Sequence, residues 1–263
     1  MKFTFYKFQG TGNDFVMIDN RNGEIKLTNN LIRFLTERKF GIGADGVILL
    51  NAKEGYDFSM DYFNPDGSNT FCGNGGRCTV KFASVLGIRK ENYKFSAVDG
   101  DHEANISDNG WVNLKMKDVD GMKKLFDAWL INTGVPHYVK LVDDVKDLDV
   151  YDEGKAIRNS PDFITEGVNV NFVEKESDSD IYVRTYERGV EDETLSCGTG
   201  ITAAALVVAH NDRGYNRVEV ETKGGHLAVE YDKIGEDKFE NIWLCGPATL
   251  VYSGTIEIPE EDI

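Results

Sequence analysis

The strongest restriction on how this 263-residue chain can fold is an internal repeat. The turn in GTGNDFVMID at Gly12 returns in NTGVPHYVKLVDD at Gly134, and ADGVILL around Gly46 returns in TEGVNVNFVE around Gly167. A strand-like DFSMDYFN, a polar turn and CGNGGRCTVKFASVLG match DIYVRTYE, a polar turn and CGTGITAAALVVAH, so Cys72 corresponds to Cys197. Finally VDGDHEA at His102 matches TKGGHLAVE at His226. The four spacings are 122, 121, 125 and 124 residues. Echoes in one order at one spacing predict two homologous halves, residues 1–118 and 119–250, with no low-complexity linker between them.

Within each half, period-two segments such as KFTFYKF, WVNLKM and IYVRTYE dominate and long helical periods are few, which predicts an α+β fold. Each half reads as a mainly antiparallel β-layer or barrel wrapped around a central helix, the two being pseudo-symmetric. The segment from Leu195 to His210 is apolar all round and predicts a buried axial helix, with its counterpart from Asn74 to Leu86. A more exposed helix is expected at LTNNLIRFLTERKFG, capped by Thr28 or Asn29 and stopped at Gly41. The acidic stretch from Val142 to Glu153 reads as solvated surface. His102 and His226 read as turn residues without a role.

Bulk properties narrow the function. A formal charge of −16 argues against nucleic acid and anionic membranes as partners. No apolar run approaches the roughly 20 residues of a membrane span, and the start MKFTFYKFQG lacks a signal-peptide pattern, so a cytoplasmic protein is expected. Four cysteines without dense spacing point to free thiols in a reducing compartment.

The chemistry lies in the repeated CG. The first N–H groups of a helix lack internal partners and carry a partial positive charge, so a thiol there is drawn towards thiolate and an anion gathers beside it. If two such thiols face each other across an approximate twofold, one takes a proton from a carbon and the other returns one to the opposite face, inverting the centre. His137, in the second TG turn, and Glu187, in the strand before Cys197, are placed to set which sulfur holds the proton. A buried cysteine is ordinarily a small hydrophobe, and Cys78 and Cys245, outside the repeated context, are read so. C-x5-C is a poor zinc spacing, so no metal is expected. GNGG lacks the GK[ST] ending of a nucleotide loop. Asn13, Asn64 and Asn169 stand at strand or loop ends, where asparagine shapes turns or meets ligand.

The motifs GTGNDFVMID, FGIGADG, FNPDGS, CGNGGR, EGVNVNF and YERGVEDETLSCGTG, in this order over nearly the whole chain, resemble the diaminopimelate epimerases. The resemblance implies a cofactor-independent, PLP-independent isomerase that interconverts LL- and meso-diaminopimelate in lysine and peptidoglycan precursor synthesis. It implies Cys72 and Cys197 as acid and base, adjusted by His137 and Glu187. Asn13, Asn64, Gly73, Asn74, Asn169, Glu187, Arg188, Gly198 and Thr199 are then substrate-binding positions, Arg188 pairing a carboxylate bidentately. A homodimer is implied too, with a C-terminal strand, 251–263, returning to the first half. Many members carry Asn where this chain has Val135, and Gln where it has Gly46. Alternatives are a proline racemase-like enzyme, against which Asn74 speaks, and a non-catalytic thiol or metal-binding module.

Overall fold

The computed structural model describes residues 2–209 and 212–258. The chain divides into two compact units, Met1–Leu114 with Gly246–Ile263, and Lys115–Cys245. The expected divisions at 118/119 and 250/251 fall a few residues late, because Met116 already donates its N–H to Ile242 of the second unit. Of the expected returning strand, residues 259–263 lie outside the described residues.

In the first unit the chain forms β1 (Lys2–Gly10), β2 (Asn13–Asp19), α1 (Asn29–Thr36), β3 (Gly46–Asn51), β4 (Phe58–Phe63), β5 (Asn69–Thr70), α2 (Gly73–Val85), β6 (Asn92–Ala97), β7 (Gly100–Ile106) and β8 (Val112–Lys115). The second forms β9 (Val119–Asp120), β10 (Lys123–Leu125), β11 (Ala128–Asn132), β12 (Pro136–Leu141), α3 (Val150–Arg158), β13 (Asn169–Lys175), β14 (Asp180–Glu187), β15 (Asp192–Thr194), α4 (Gly198–Val207), β16 (Gly214–Thr222), β17 (Gly225–Lys233) and β18 (Lys238–Gly246). The chain then returns to the first unit as β19 (Thr249–Glu257), antiparallel to β1.

Strand order shows the duplication more plainly than sequence does. The first sheet runs β19-β1-β2-β3-β4-β6-β7-β8, parallel only at β2–β3 and β4–β6, with β5 also on β4. The second runs β10-β11-β12-β13-β14-β16-β17-β18, parallel only at β12–β13 and β14–β16, with β15 also on β14. Each sheet wraps one helix: α2 packs on β1 to β4, β7 and β19, and α4 on β11 to β14, β16 and β17.

The alternating residues of β1 put Phe3 and Phe5 inside and Lys2 and Thr4 outside. Phe82 of α2 meets the rings of Tyr6 and Phe8 with centroids 5.0 and 5.7 Å apart. Truncating so enclosed a ring to alanine costs about 3–5 kcal/mol. Helix α4 needs no amphipathic stripe, since Ile201 to Leu206 are all buried. It spans Gly198–Val207, shorter than the expected Leu195 to His210, and His210 lies outside the described residues. Thr28 caps α1 by accepting from Leu31 N at 3.2 Å. That helix stops at Thr36, before the expected Gly41, whose N–H instead bonds Glu37 O. The acidic stretch from Val142 to Glu153 is not simply solvated: Val145 and Val150 are buried, and they anchor a 3-10 turn and the start of α3 to the core.

Candidate active site

In the first unit, Cys72 is the N-cap of α2, held in extended backbone (φ −129°), and its carbonyl accepts from Gly76 N at 2.8 Å. Its side chain makes no capping bond, so the sulfur is left to other partners. It donates to Asn13 Oδ1 at 3.3 Å, a bond only the protonated sulfur makes, and Asn74 Nδ2 reaches the same oxygen at 3.4 Å. Asn13 cannot turn its amide over, because its Nδ2 gives a 2.6 Å bond to Asp45 Oδ2, an atom that only accepts. Asp45 is fixed in turn by Arg38, which also pairs Asp14, and Lys7 pairs Asp14 at 2.7 Å. These cations hold the Asp14 carboxyl down to about 2 despite its partial burial, which acts the other way.

The turn that presents Asn13 is strained. Thr11 and Gly12 both take positive φ (52° and 86°), and Thr11, a β-branched residue there, accepts from the buried Arg77 Nη2 at 3.2 Å. The corresponding turn of the second unit ties Thr133 Oγ1 to Thr199 O at 2.8 Å. In both units a threonine of the TG turn is thus fastened to the central helix.

In the second unit, Cys197 is the N-cap of α4 in the same extended backbone (φ −116°), again without a capping bond from its side chain. It is buried, with Thr199 Oγ1 3.6 Å from its sulfur. Glu187 closes β14. Burial pushes its carboxyl up, opposed by hydrogen bonds from Thr194, at 3.0 Å, and from Cys197. His137 is fully enclosed, and burial, with Arg188 nearby, lowers its imidazole to about 3, so the ring is neutral at physiological pH. Asn171 Nδ2 lies 3.0 Å from His137 Nδ1. Asn169 pairs in register with His137, and its Oδ1 accepts from Arg188 N at 2.8 Å. The Arg188 guanidinium donates to Glu166 O at 2.8 Å.

Each unit therefore gathers its own set: Cys72, Gly73, Asn74 and Asn13 in one, Cys197, Gly198, Thr199, Glu187, His137, Asn169 and Arg188 in the other. Asn64 stands apart from the first set in its contacts, for its amide donates to Ser68 and Thr70 and accepts from Tyr62 at 2.9 Å, bonds that fix the direction of its side chain. Gly46 admits no side chain: an added Cβ would overlap the Tyr62 ring and stand 2.6 Å from Phe63 O. His102 is no turn residue. It lies on β7, stacked on Phe71 with centroids 3.9 Å apart, directly before Cys72, and bonds Asp99. His226 lies on β17 and pairs Glu219. Sequence reasoning missed Asp45 and Asn171. Asp45 sits inside FGIGADG, and Asn171 is two residues beyond Asn169, hence on the same face of β13. Among the described residues no three His, Cys, Asp or Glu are grouped to hold a metal, and no helix is long and apolar enough to cross a membrane.

The diaminopimelate epimerase sequence profile matches residues 5–120 and 129–251. The chain belongs to this family. It is 46% identical over 254 residues to the diaminopimelate epimerase of Flavobacterium psychrophilum, covering 95% of this chain and 99% of that one. The corresponding protein of Chlorobaculum tepidum is 42% identical over 261 residues, with 95% and 99% covered. Among solved structures, a Bacillus anthracis phenazine biosynthesis protein of the PhzF family superimposes with a TM-score of 0.78 at 14% identity, covering 98% of this chain and all of that one. A probable proline racemase from Agrobacterium radiobacter gives 0.67 at 15%, covering 98% and 93%. At such identities these two share the fold. As a member of its family, the chain is an isomerase of the epimerase type.

Proposed function

We propose that the protein interconverts LL- and meso-2,6-diaminopimelate without a cofactor, in lysine and peptidoglycan precursor synthesis, as a cytoplasmic homodimer. The observation that carries this reading is the repeated placement of a cysteine, side chain uncommitted to capping, at the start of each unit's buried central helix. Membership of the diaminopimelate epimerase family supports the choice of substrate.

In the proposed reaction one cysteine thiolate removes the α-proton, and the C–H electron pair passes into the α-carboxylate. The other thiol then delivers its proton to the opposite face, leaving the configuration inverted and the two sulfurs with exchanged protonation. The N–H groups of Gly73, Asn74, Gly198 and Thr199 stabilise the charge that builds on the carboxylate. Glu187 and His137 adjust Cys197, while Asn13 holds the Cys72 proton. Asn13, Asn64, Asn169, Glu187 and Arg188 bind the substrate, with the Arg188 guanidinium on the distal carboxylate.

Incubation with LL-diaminopimelate in heavy water, with proline in parallel, tests the reading. Deuterium should enter at the α-carbon as the meso form appears, and proline should remain unchanged. Inversion that survives in Cys72→Ala or Cys197→Ala would refute the two-thiol mechanism.

A further inference from the structure

We propose that Asn171 is a positioning residue, which locks the His137 imidazole in the tautomer that carries its proton on Nε2 and braces it beneath the start of α4. The orientation of the Asn171 carboxamide is not free. Its Nδ2 faces Tyr138 O at 3.2 Å, a carbonyl that only accepts, and its Oδ1 accepts from Thr185 Oγ1 at 2.9 Å. The nitrogen that lies 3.0 Å from His137 Nδ1 is therefore a donor, and Nδ1 must be the bare acceptor of a neutral ring. The single imidazole proton is left on Nε2.

That N–H is buried and meets no protein acceptor among the described residues. His137 also borders an open pocket of about 590 Å³ on the second unit, shared with Asn132, Pro136, Phe163 and Val168. A buried donor without an acceptor is unfavourable, and here its direction is enforced by three groups, Thr185 and Tyr138 orienting Asn171 and Asn171 facing the ring. This series of groups meets α4 at Gly200. A Cβ there would overlap Asn171 Oδ1 and lie 3.4 Å from Cys197 Cβ, so the carboxamide sits against the turn that carries the thiol. On this assignment His137 acts by donating from Nε2 and never by accepting a proton at Nδ1. The catalytic meaning rests on the function proposed above, but the tautomer itself does not.

The test is ¹⁵N–¹H correlation spectroscopy of the imidazole rings in the full-length, ¹⁵N-histidine-labelled protein near pH 7, with His137 assigned by its loss in His137→Gln. The wild-type ring should show a protonated-type Nε2 and an unprotonated-type Nδ1. Asn171→Asp, which offers Nδ1 an acceptor, should move the proton to Nδ1. Asn171→Leu should give a mixture of tautomers. Should either variant fold poorly, Thr185→Val, which frees the carboxamide, should broaden the same signals. A wild-type ring protonated on Nδ1, or a tautomer untouched in whichever of these variants fold, would overturn the assignment. None of these spectra needs turnover, so a correct tautomer without epimerisation would sink the proposed function and leave this inference standing.

Discussion

Replacing Gly200 with alanine sets two physical rules against each other. Helix propensity alone favours the change by about 1 kcal/mol, since glycine is the poorest ordinary residue inside a helix. Packing opposes it, because the new methyl would overlap Asn171 Oδ1 and stand 3.3 Å from Asn171 Cγ. The carboxamide cannot yield without loosening its bonds with His137, Tyr138 and Thr185, each a buried hydrogen bond of about 1 kcal/mol. Forcing a methyl into a filled site costs a further 1–3 kcal/mol or so. The balance is a net loss of about 3–5 kcal/mol, which for a chain of this size lowers the melting temperature by roughly 6–20 °C. Differential scanning calorimetry of the variant measures it. Gly75→Ala, at the matching position of α2, is the control: its methyl presses on the flexible ends Ile48 Cδ1 and Met60 Cε at 3.1 Å and meets Phe15 Cε1 at an ordinary 3.5 Å, and should shift the melt by a few degrees at most. A Gly200→Ala protein as stable as the wild type would refute the claim that Asn171 is held rigidly against α4.

Further expectations follow from the same geometry. Burial pushes the Cys78 thiol up to about 12, so iodoacetamide at pH 8 should label the half-exposed Cys72 and leave Cys78 unmodified, as peptide mapping would read out. Because the Asp14 carboxyl is held at about 2 against an ordinary 3.8, its contribution to stability is complete above about pH 4 and lost as pH falls towards 2. Asp14→Asn should therefore flatten the acid limb of the urea-midpoint profile and cost about 1 kcal/mol at neutral pH, the shift being discounted for solvent screening. Glu187 behaves oppositely: its raised carboxyl favours the folded state at low pH, and charging it with rising pH works against the fold. Glu187→Gln should melt no lower than wild type at pH 8 while inversion falls at least tenfold. Gly46→Gln should destabilise by more than about 2 kcal/mol, and Tyr62→Ala in the same chain should recover part of the loss by vacating the ring's place.

The repeat, the two central helices and the paired cysteines were legible because each rests on local pattern: glycine after cysteine, apolar residues all round, turns at matching spacing. Residues whose role depends on a partner distant in sequence were not. Asp45 matters through Asn13, 32 positions away, and Asn171 through His137, 34 away, pairs that strand register alone brings together. His102 was misread for a related reason, since a Gly-containing turn signal hid a strand whose side chain stacks on Phe71. Helix α3 was obscured by charge: its buried Val150 and the nearby Val145 are too few to outweigh the acidic residues around them in any window average. Gly46 was visible as a departure from the family pattern, whereas the reason a side chain does not fit there, the Tyr62 ring standing where a Cβ would be, required coordinates.

The two units share strand order, helix placement and even the threonine that fastens the TG turn to the helix, yet they surround their thiols differently. Cys72 faces a neutral amide oxygen that is itself pinned by a carboxylate and two layers of cations. Cys197 faces a buried carboxyl and lies on the same helical turn as Gly200, against which a neutral imidazole's anchor packs. On the two-thiol mechanism proposed above, each thiol must hold a proton in one half of the cycle and release it in the other, so neither site is served by an overwhelming preference. Under that mechanism one unit would meet the need with a fixed dipole and the other with a carboxyl whose charge is itself made costly by burial. Duplication accounts for the matched scaffolds. If the proposed reaction holds, the unlike surroundings let its two ends be tuned separately, and exchanging them, for instance by Asn13→Asp, should bias proton exchange towards one stereoisomer, read as unequal deuterium wash-in from the LL and meso sides.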